Sequence, residues 1–259
     1  MSLSYIDMED LKYAKTLLEN PGLAAKFINI FGVPFEKGFQ YLPDSVSRQI
    51  NNISKSALIA ALNFAVFTLG NKPEKKSADK LHKLAVAASG CAGGLFGLTA
   101  LGFELPVATT IMLRSIADIA RSEKEDIQTI ESKLACIEVF AFGSKSHSDD
   151  SVDAGYYAIR AALSKAVSDA ASYLAEQGLA ETGSPILVRL IAQISSRFGI
   201  IVSEKVAASA IPIIGAAGSA AINTVFMEHF QEMARGHFII RRLERIHGKD
   251  VIKNEYNKM

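Results

Sequence analysis

Two uncharged runs constrain this chain more than any other feature: Leu84–Phe103, 20 residues, and Val206–Met227, 22 residues. Both are rich in Ala and Gly, and both lead into segments that carry Glu, Arg and His. Two architectures suit such runs. Helices in a water-soluble core can approach backbone to backbone where glycine removes the side chain, as at Gly90 and Gly94 or Gly93 and Gly97. Alternatively, about 20 apolar residues suffice to cross the roughly 30 Å hydrocarbon core of a bilayer. Ala and Gly transfer weakly out of water, and breaks at Gly90–Gly97 and Pro212–Gly215 shorten the continuous helices. This favours a soluble core over reversible membrane association, and either over stable spanning.

Helical spacing recurs along the chain and strand alternation is nearly absent. The expected fold is therefore all-α, a compact bundle of about nine or ten helices with tightly packed Ala/Gly-rich helices at its centre. At 259 residues and 49% hydrophobic, the chain can bury a sizeable core. Breakers and caps predict helices over Met8–Leu18, Leu23–Phe31, from Asp44 or Ser45 to Leu69, and Lys75–Gly90. Pro106 is expected to open the next, to Arg121, because its missing N–H costs nothing in a first turn. Ile127–Phe142 follows, and then a long helix capped by Asp149, Asp150 or Ser151 that reaches Glu176. Ser184-Pro185 to Phe198, Ile200–Ile211, Gly218–His247 and a short tail, Lys249–Tyr256, complete the series. Pro34, Gly38 and Pro43 mark a loop that divides the chain into an N-terminal arm, 1–43, and a helical domain, 44–259.

Composition removes several function classes. The formal charge is +1 and no basic strip is interleaved with aromatics, so no nucleic-acid partner is expected. Cys91 and Cys136 lie in apolar surroundings and read as free buried thiols. The N-terminus lacks a basic region followed by a hydrophobic run, which predicts a cytoplasmic protein, peripheral at the inner face of the cell membrane if it meets one. No phosphate-cradling loop, His-Glu-x-x-His, Cys-x-x-Cys or Gly-x-Ser-x-Gly pattern is present, so no cofactor or metal is expected and no reaction is indicated.

The polar residues within apolar helices are the candidates for chemistry. Glu104 precedes Pro106, where unpaired N–H groups at a helix start favour a carboxylate. Asp118 lies one turn beyond Arg114, a spacing that lets the two pair. His229 and His237 are eight residues apart, roughly 12 Å along a helix, too far to share one ion. His229 and Glu232 form a weak metal pair, with Glu138 or Asp118 as further donors. Asn223 needs a hydrogen-bond partner if buried. Arg241, Arg242 and Arg245 suit the negative end of a helix and could also touch phosphate headgroups. Tyr156 and Tyr157 could flank a cleft, though aromatic core packing is the preferred reading. The competing reading of the whole set is structural: capping, ion pairing and interhelical hydrogen bonds. Convergence on one solvent-connected cavity would mark a site, whereas scatter would mark fold determinants.

Lys83–Arg121, Lys133–Gly143, Gly155–Val167 and above all Ile211–Glu244 (IPIIGAAGSAAINTVFMEHFQEMARGHFIIRRLE) resemble the EcsC protein family, from about Leu42 onward. That family is named through a genetic association with an ABC-transporter operon and has no assigned activity, so the resemblance implies signature positions rather than roles. Those positions map onto Glu104, Pro106, Arg114, Asp118, Glu138, Asn223, His229, His237 and Arg241. The expected function is a non-catalytic module that associates with a membrane, through anionic lipid or a membrane protein. The alternative is an enzyme, or a carrier of a small apolar ligand, with a polar site enclosed by helices.

Overall fold

Caps and breakers divide the chain largely where local chemistry requires. The computed structural model describes residues 3–19, 22–31, 43–68, 97–144, 155–178, 184–209 and 215–259. Among these residues there are nine α-helices and no strand: α1 Tyr5–Glu19, α2 Leu23–Phe31, α3 Asp44–Thr68, α4 Gly97–Ser122, α5 Ile130–Glu138, α6 Tyr156–Gln177, α7 Pro185–Ser209, α8 Gly215–His247 and α9 Lys249–Lys258. One 3-10 turn, Val139–Ala141, continues α5. The helix expected over Lys75–Gly90, the glycine cluster Gly90–Gly94 and Cys91 lie outside the described residues, whereas α6 is entered through Gly155, with no side-chain cap, and not through Asp149, Asp150 or Ser151 as the sequence suggests.

Thr129 caps α5, its hydroxyl oxygen accepting from the Ser132 N–H at 3.2 Å. Gly248, at φ +92°, lets the chain turn from α8 into α9 at an angle closed to most side chains. Two breakers do not break. Pro106 sits inside α4 rather than opening a helix. A proline there forfeits its bond to the Gly102 carbonyl, but Gly102 is exposed and water can serve that carbonyl. Thr109 and Thr110 then return their hydroxyls to the carbonyls of Leu105 and Pro106 at 2.6 and 2.8 Å. Gly199 likewise lies within one continuous α7, where two helices are expected from the sequence. It is buried against α3, and a Cβ there would strike the side-chain oxygen of Asn51. Its role is close approach, not a turn.

The long helix α8 organises the bundle. Helix α1 runs antiparallel along it: Leu18 and Ala14 meet Gly236, Asp10 meets Arg242, and Asp7 meets His247. A Cβ on Gly236 would come within 2.6 Å of Leu18 Cγ and 3.0 Å of the Ala14 carbonyl. Helix α4 runs parallel to α8. The Gln231 amide donates to Ser115 at 2.8 Å, and ten residues further along both helices' course Arg241 meets Glu125. Phe140, Phe198, Phe226 and Phe230 join the 3-10 turn, α7 and α8, with ring centroids 5.1–6.4 Å apart. Buried Ala57, Ala61 and Ala65 let α3 pack against α4 and α7. The uncharged run Val206–Met227 is shared between the end of α7 and the start of α8.

Candidate functional site

The polar residues singled out along the chain do not converge. Glu104 accepts from Lys205 of α7 at 2.6 Å, and the buried ammonium also lies 5.1 Å from the centre of the Phe226 ring. Burial pulls the Lys205 pKa down, against the opposing pull of Glu104. Arg114 is exposed, and Asp118 engages Arg121, three residues on. His229 is buried against the Phe142–Gly143 backbone; a Cβ on Gly143 would collide with its ring. Burial, reinforced by the charge of Lys26, drives its pKa to about 3, with only the Phe142 backbone opposing. Glu232 is held by Lys26, so His229 and Glu232 serve separate contacts. His237 is fully buried: Tyr156 Oη lies 2.8 Å from its Nδ1, and the Phe142 and Phe238 rings pack on it at 5.0 and 4.9 Å. Burial holds this imidazole neutral, with Arg160 and Arg241 adding to the effect. Asn223 is buried on α8. Among the described residues, no three His, Cys, Asp or Glu side chains gather as metal ligands. Cys136 is buried and free, its thiol pushed up to about 12 chiefly by burial, which leaves it unreactive.

The basic end of α8 is internally neutralised. Arg241 donates to both oxygens of Glu125, Nε at 3.0 Å and Nη2 at 3.2 Å. Arg242 bridges Glu123 and Asp10 at 2.7 Å each, and Arg245 reaches Glu125 and the Glu123 carbonyl. Burial alone would raise the Glu125 pKa. Arg241, the Ser132 hydroxyl at 2.9 Å and Arg245 outweigh it and hold the group below its ordinary value. The three arginines are thus paired within the fold, the Arg245 side chain remaining 42% exposed beside Glu125.

A cleft of about 610 Å³ opens beside this network, between α5, α6, the C-terminal end of α8, and α9. Arg160 forms one wall and clamps Glu244 with two parallel bonds, Nη1 to Oε1 at 2.7 Å and Nη2 to Oε2 at 3.0 Å. Tyr157 donates to the same carboxylate at 3.1 Å. Glu138, the last residue of α5, also lines the cleft. It is 6% exposed, and no group among the described residues hydrogen-bonds to it. Burial raises its pKa to about 7, with Glu244 adding and Arg160 and Arg241 opposing. Glu138 and Arg241 were legible as candidates. Arg160, Glu244 and Glu125 were not, because their partners lie on other helices; a charge set within an otherwise apolar helical face was the signal available. Tyr156 packs in the core, the preferred reading of the pair, while Tyr157 flanks the cleft, the alternative one.

A second surface lies at the opposite end of α4. Phe103 is 84% exposed and Val107 53%. With Arg114 they fall within an arc of about 40° on the helix, at roughly 100° per residue. Helices Ser45–Phe67 and Pro185–Ser209 are long and apolar enough to cross a membrane by length and composition, with mean hydropathies of 1.2 and 1.5. Both also contribute to the bundle core.

The profile of the EcsC protein family matches residues 8–243, and the chain belongs to this family. The match begins within α1, nearer the N-terminus than the segments that carry the resemblance in the sequence. No curated protein and no solved structure matches the chain.

Proposed function

Membership of the EcsC protein family brings no reaction with it, and we propose, from this chain's own geometry, that it is a module that docks reversibly on a membrane surface through the N-terminal end of α4. The observation that carries this reading is Phe103: a large aromatic ring left in water on a helix otherwise dominated by buried Leu, Ile and Ala. Val107 extends the apolar tip by one turn. Arg114 follows on the same face about 16 Å along the axis, at 1.5 Å per residue. Apolar side chains at a tip and a cation further up suit the order of acyl chain, interface and phosphate in a leaflet. Arg241, Arg242 and Arg245 of α8 take no part in this reading, since each is held by acidic partners.

Flotation with phosphatidylcholine vesicles, with and without phosphatidylglycerol, tests the reading. The full chain is expected to float with both, more with the anionic vesicles at low salt. Phe103→Ser with Val107→Ser removes two exposed side chains that together contribute about 3 kcal/mol when fully buried, on the order of a hundredfold in partitioning. Arg114→Glu should abolish only the preference for anionic vesicles. Equal flotation of the wild type and the double variant would defeat the proposal.

A further inference from the structure

We propose that the cleft between α5, α6, α8 and α9 binds a small zwitterion, a free amino acid or short peptide, whose ammonium sits on Glu138 and whose carboxylate takes unused N–H groups of Arg160 and Arg241.

Three observations carry this. First, Glu138 is a carboxyl group more than nine-tenths buried, lining a cavity, with no donor supplied by the described residues. Its oxygens open onto the cleft and not into the core, so a donor arriving from solution can reach a carboxyl that the fold itself leaves without one. Second, a guanidinium has five N–H donors. Arg160 gives two to Glu244, and Arg241 gives two to Glu125, so each keeps spare donors on a residue that lines the cleft. The acidic partners hold both arginines in place and leave a directional anion site. Third, the charges lining the cleft balance: Arg160, Arg241, Lys249 and Lys253 against Glu131, Glu138, Glu244 and Asp250. A net anion or cation would meet as much repulsion as attraction. A ligand with one charge of each sign, suitably spaced, meets attraction at both ends.

The cleft's shape fits. Its α6 wall carries Ala161, Ser164, Val167, Ser168, Ala171 and Ser172, which leave a shallow trough beside the charged end. At 610 Å³ it holds more than one amino acid, so a short extended peptide fills it better. The parallel run of α4 and α8 puts Arg241 beside Glu125, just past the end of α4 and some 28 Å from Phe103 along the axis at 1.5 Å per residue. The cleft therefore stays open to water while the Phe103 tip meets a surface. Its ligand comes from solution, independently of whether the membrane reading holds.

Isothermal titration of the full chain with trialanine, N-acetyl-trialanine and trialaninamide tests the proposal. Trialanine should bind, and each analogue, lacking one charge, should bind roughly ten- to a hundredfold more weakly, the cost of a lost charge-assisted hydrogen bond. Glu138→Gln should weaken trialanine by a similar factor and leave the acetylated analogue unchanged, because both remove the same contact. Ala161→Trp, on an exposed position of the trough, should block binding without touching the ion pairs. Absence of trialanine binding to the wild type, equal binding of all three peptides, or full binding to Glu138→Gln would each overturn the assignment.

Discussion

Replacing Glu138 by Gln keeps the shape of the side chain and removes its ability to ionise. In the folded chain the Glu138 carboxyl titrates near 7, against an ordinary value of 4.5 when unfolded. Between these values the folded state retains a proton that the unfolded state has lost, so stability falls as pH rises through the window and levels off above about 7. The difference of about 2.5 pH units, at 1.36 kcal/mol each, amounts to roughly 3 kcal/mol. Glu138→Gln escapes that cost. It should match the wild type near pH 4 and exceed it at pH 8 by up to about 3 kcal/mol, some 6–12 °C in Tm for a chain of this size. Thermal and urea melts followed by far-ultraviolet circular dichroism across this pH range measure the difference. A gain that grows with pH identifies Glu138 as an acid retained at the expense of stability, as expected of a binding group. A variant less stable than wild type at pH 8, or an offset independent of pH, would refute the reasoning. Glu138 would then be an ionised structural partner of Arg160 and Arg241.

The buried histidines act with the opposite sign. His229, at about 3 in the folded chain, and His237, also well below 6.5, are uncharged in the fold. Their contribution is complete above about pH 6.5 and is lost as pH falls, so acid should unfold the chain with proton uptake, and His237→Phe should flatten the slope of urea stability against pH between 4.5 and 6.5. In the same window Glu138→Gln should steepen it, since the opposing carboxyl is gone. Gly236→Ala drives a methyl into Leu18 and the Ala14 carbonyl and should cost about 1–3 kcal/mol in urea melts, with faster hydrogen exchange in α1. Gly199→Ala should cost less, because it meets only the movable end of the Asn51 side chain.

Helix ends were readable because capping and breaking are local: Leu23–Phe31 and the start near Asp44 follow from neighbouring residues alone. Pro106 and Gly199 misled because tertiary surroundings decide what a breaker does. An exposed Gly102 tolerates the proline, and packing against α3 keeps Gly199 inside a continuous α7, where the glycine makes room for the Asn51 side chain. Charge partners were less readable still. Spacing of three or four residues reveals neighbours on one helix, yet Glu104 finds Lys205, Arg160 finds Glu244 and Arg241 finds Glu125 across helices. The same limit explains why Glu138 and Arg241 could be noticed singly while their common cleft could not. His229 and His237 drew attention as titratable groups, but burial makes them part of the core.

The chain contains no tryptophan, so Phe103→Trp places a single reporter on the exposed face of the N-terminal part of α4. Its emission should lie near that of indole in water for the free chain, shift to the blue on adding phosphatidylcholine vesicles, and become accessible to quenchers carried in the acyl region. Emission that stays unshifted, and is quenched only from the aqueous side at saturating lipid, would contradict docking through this surface.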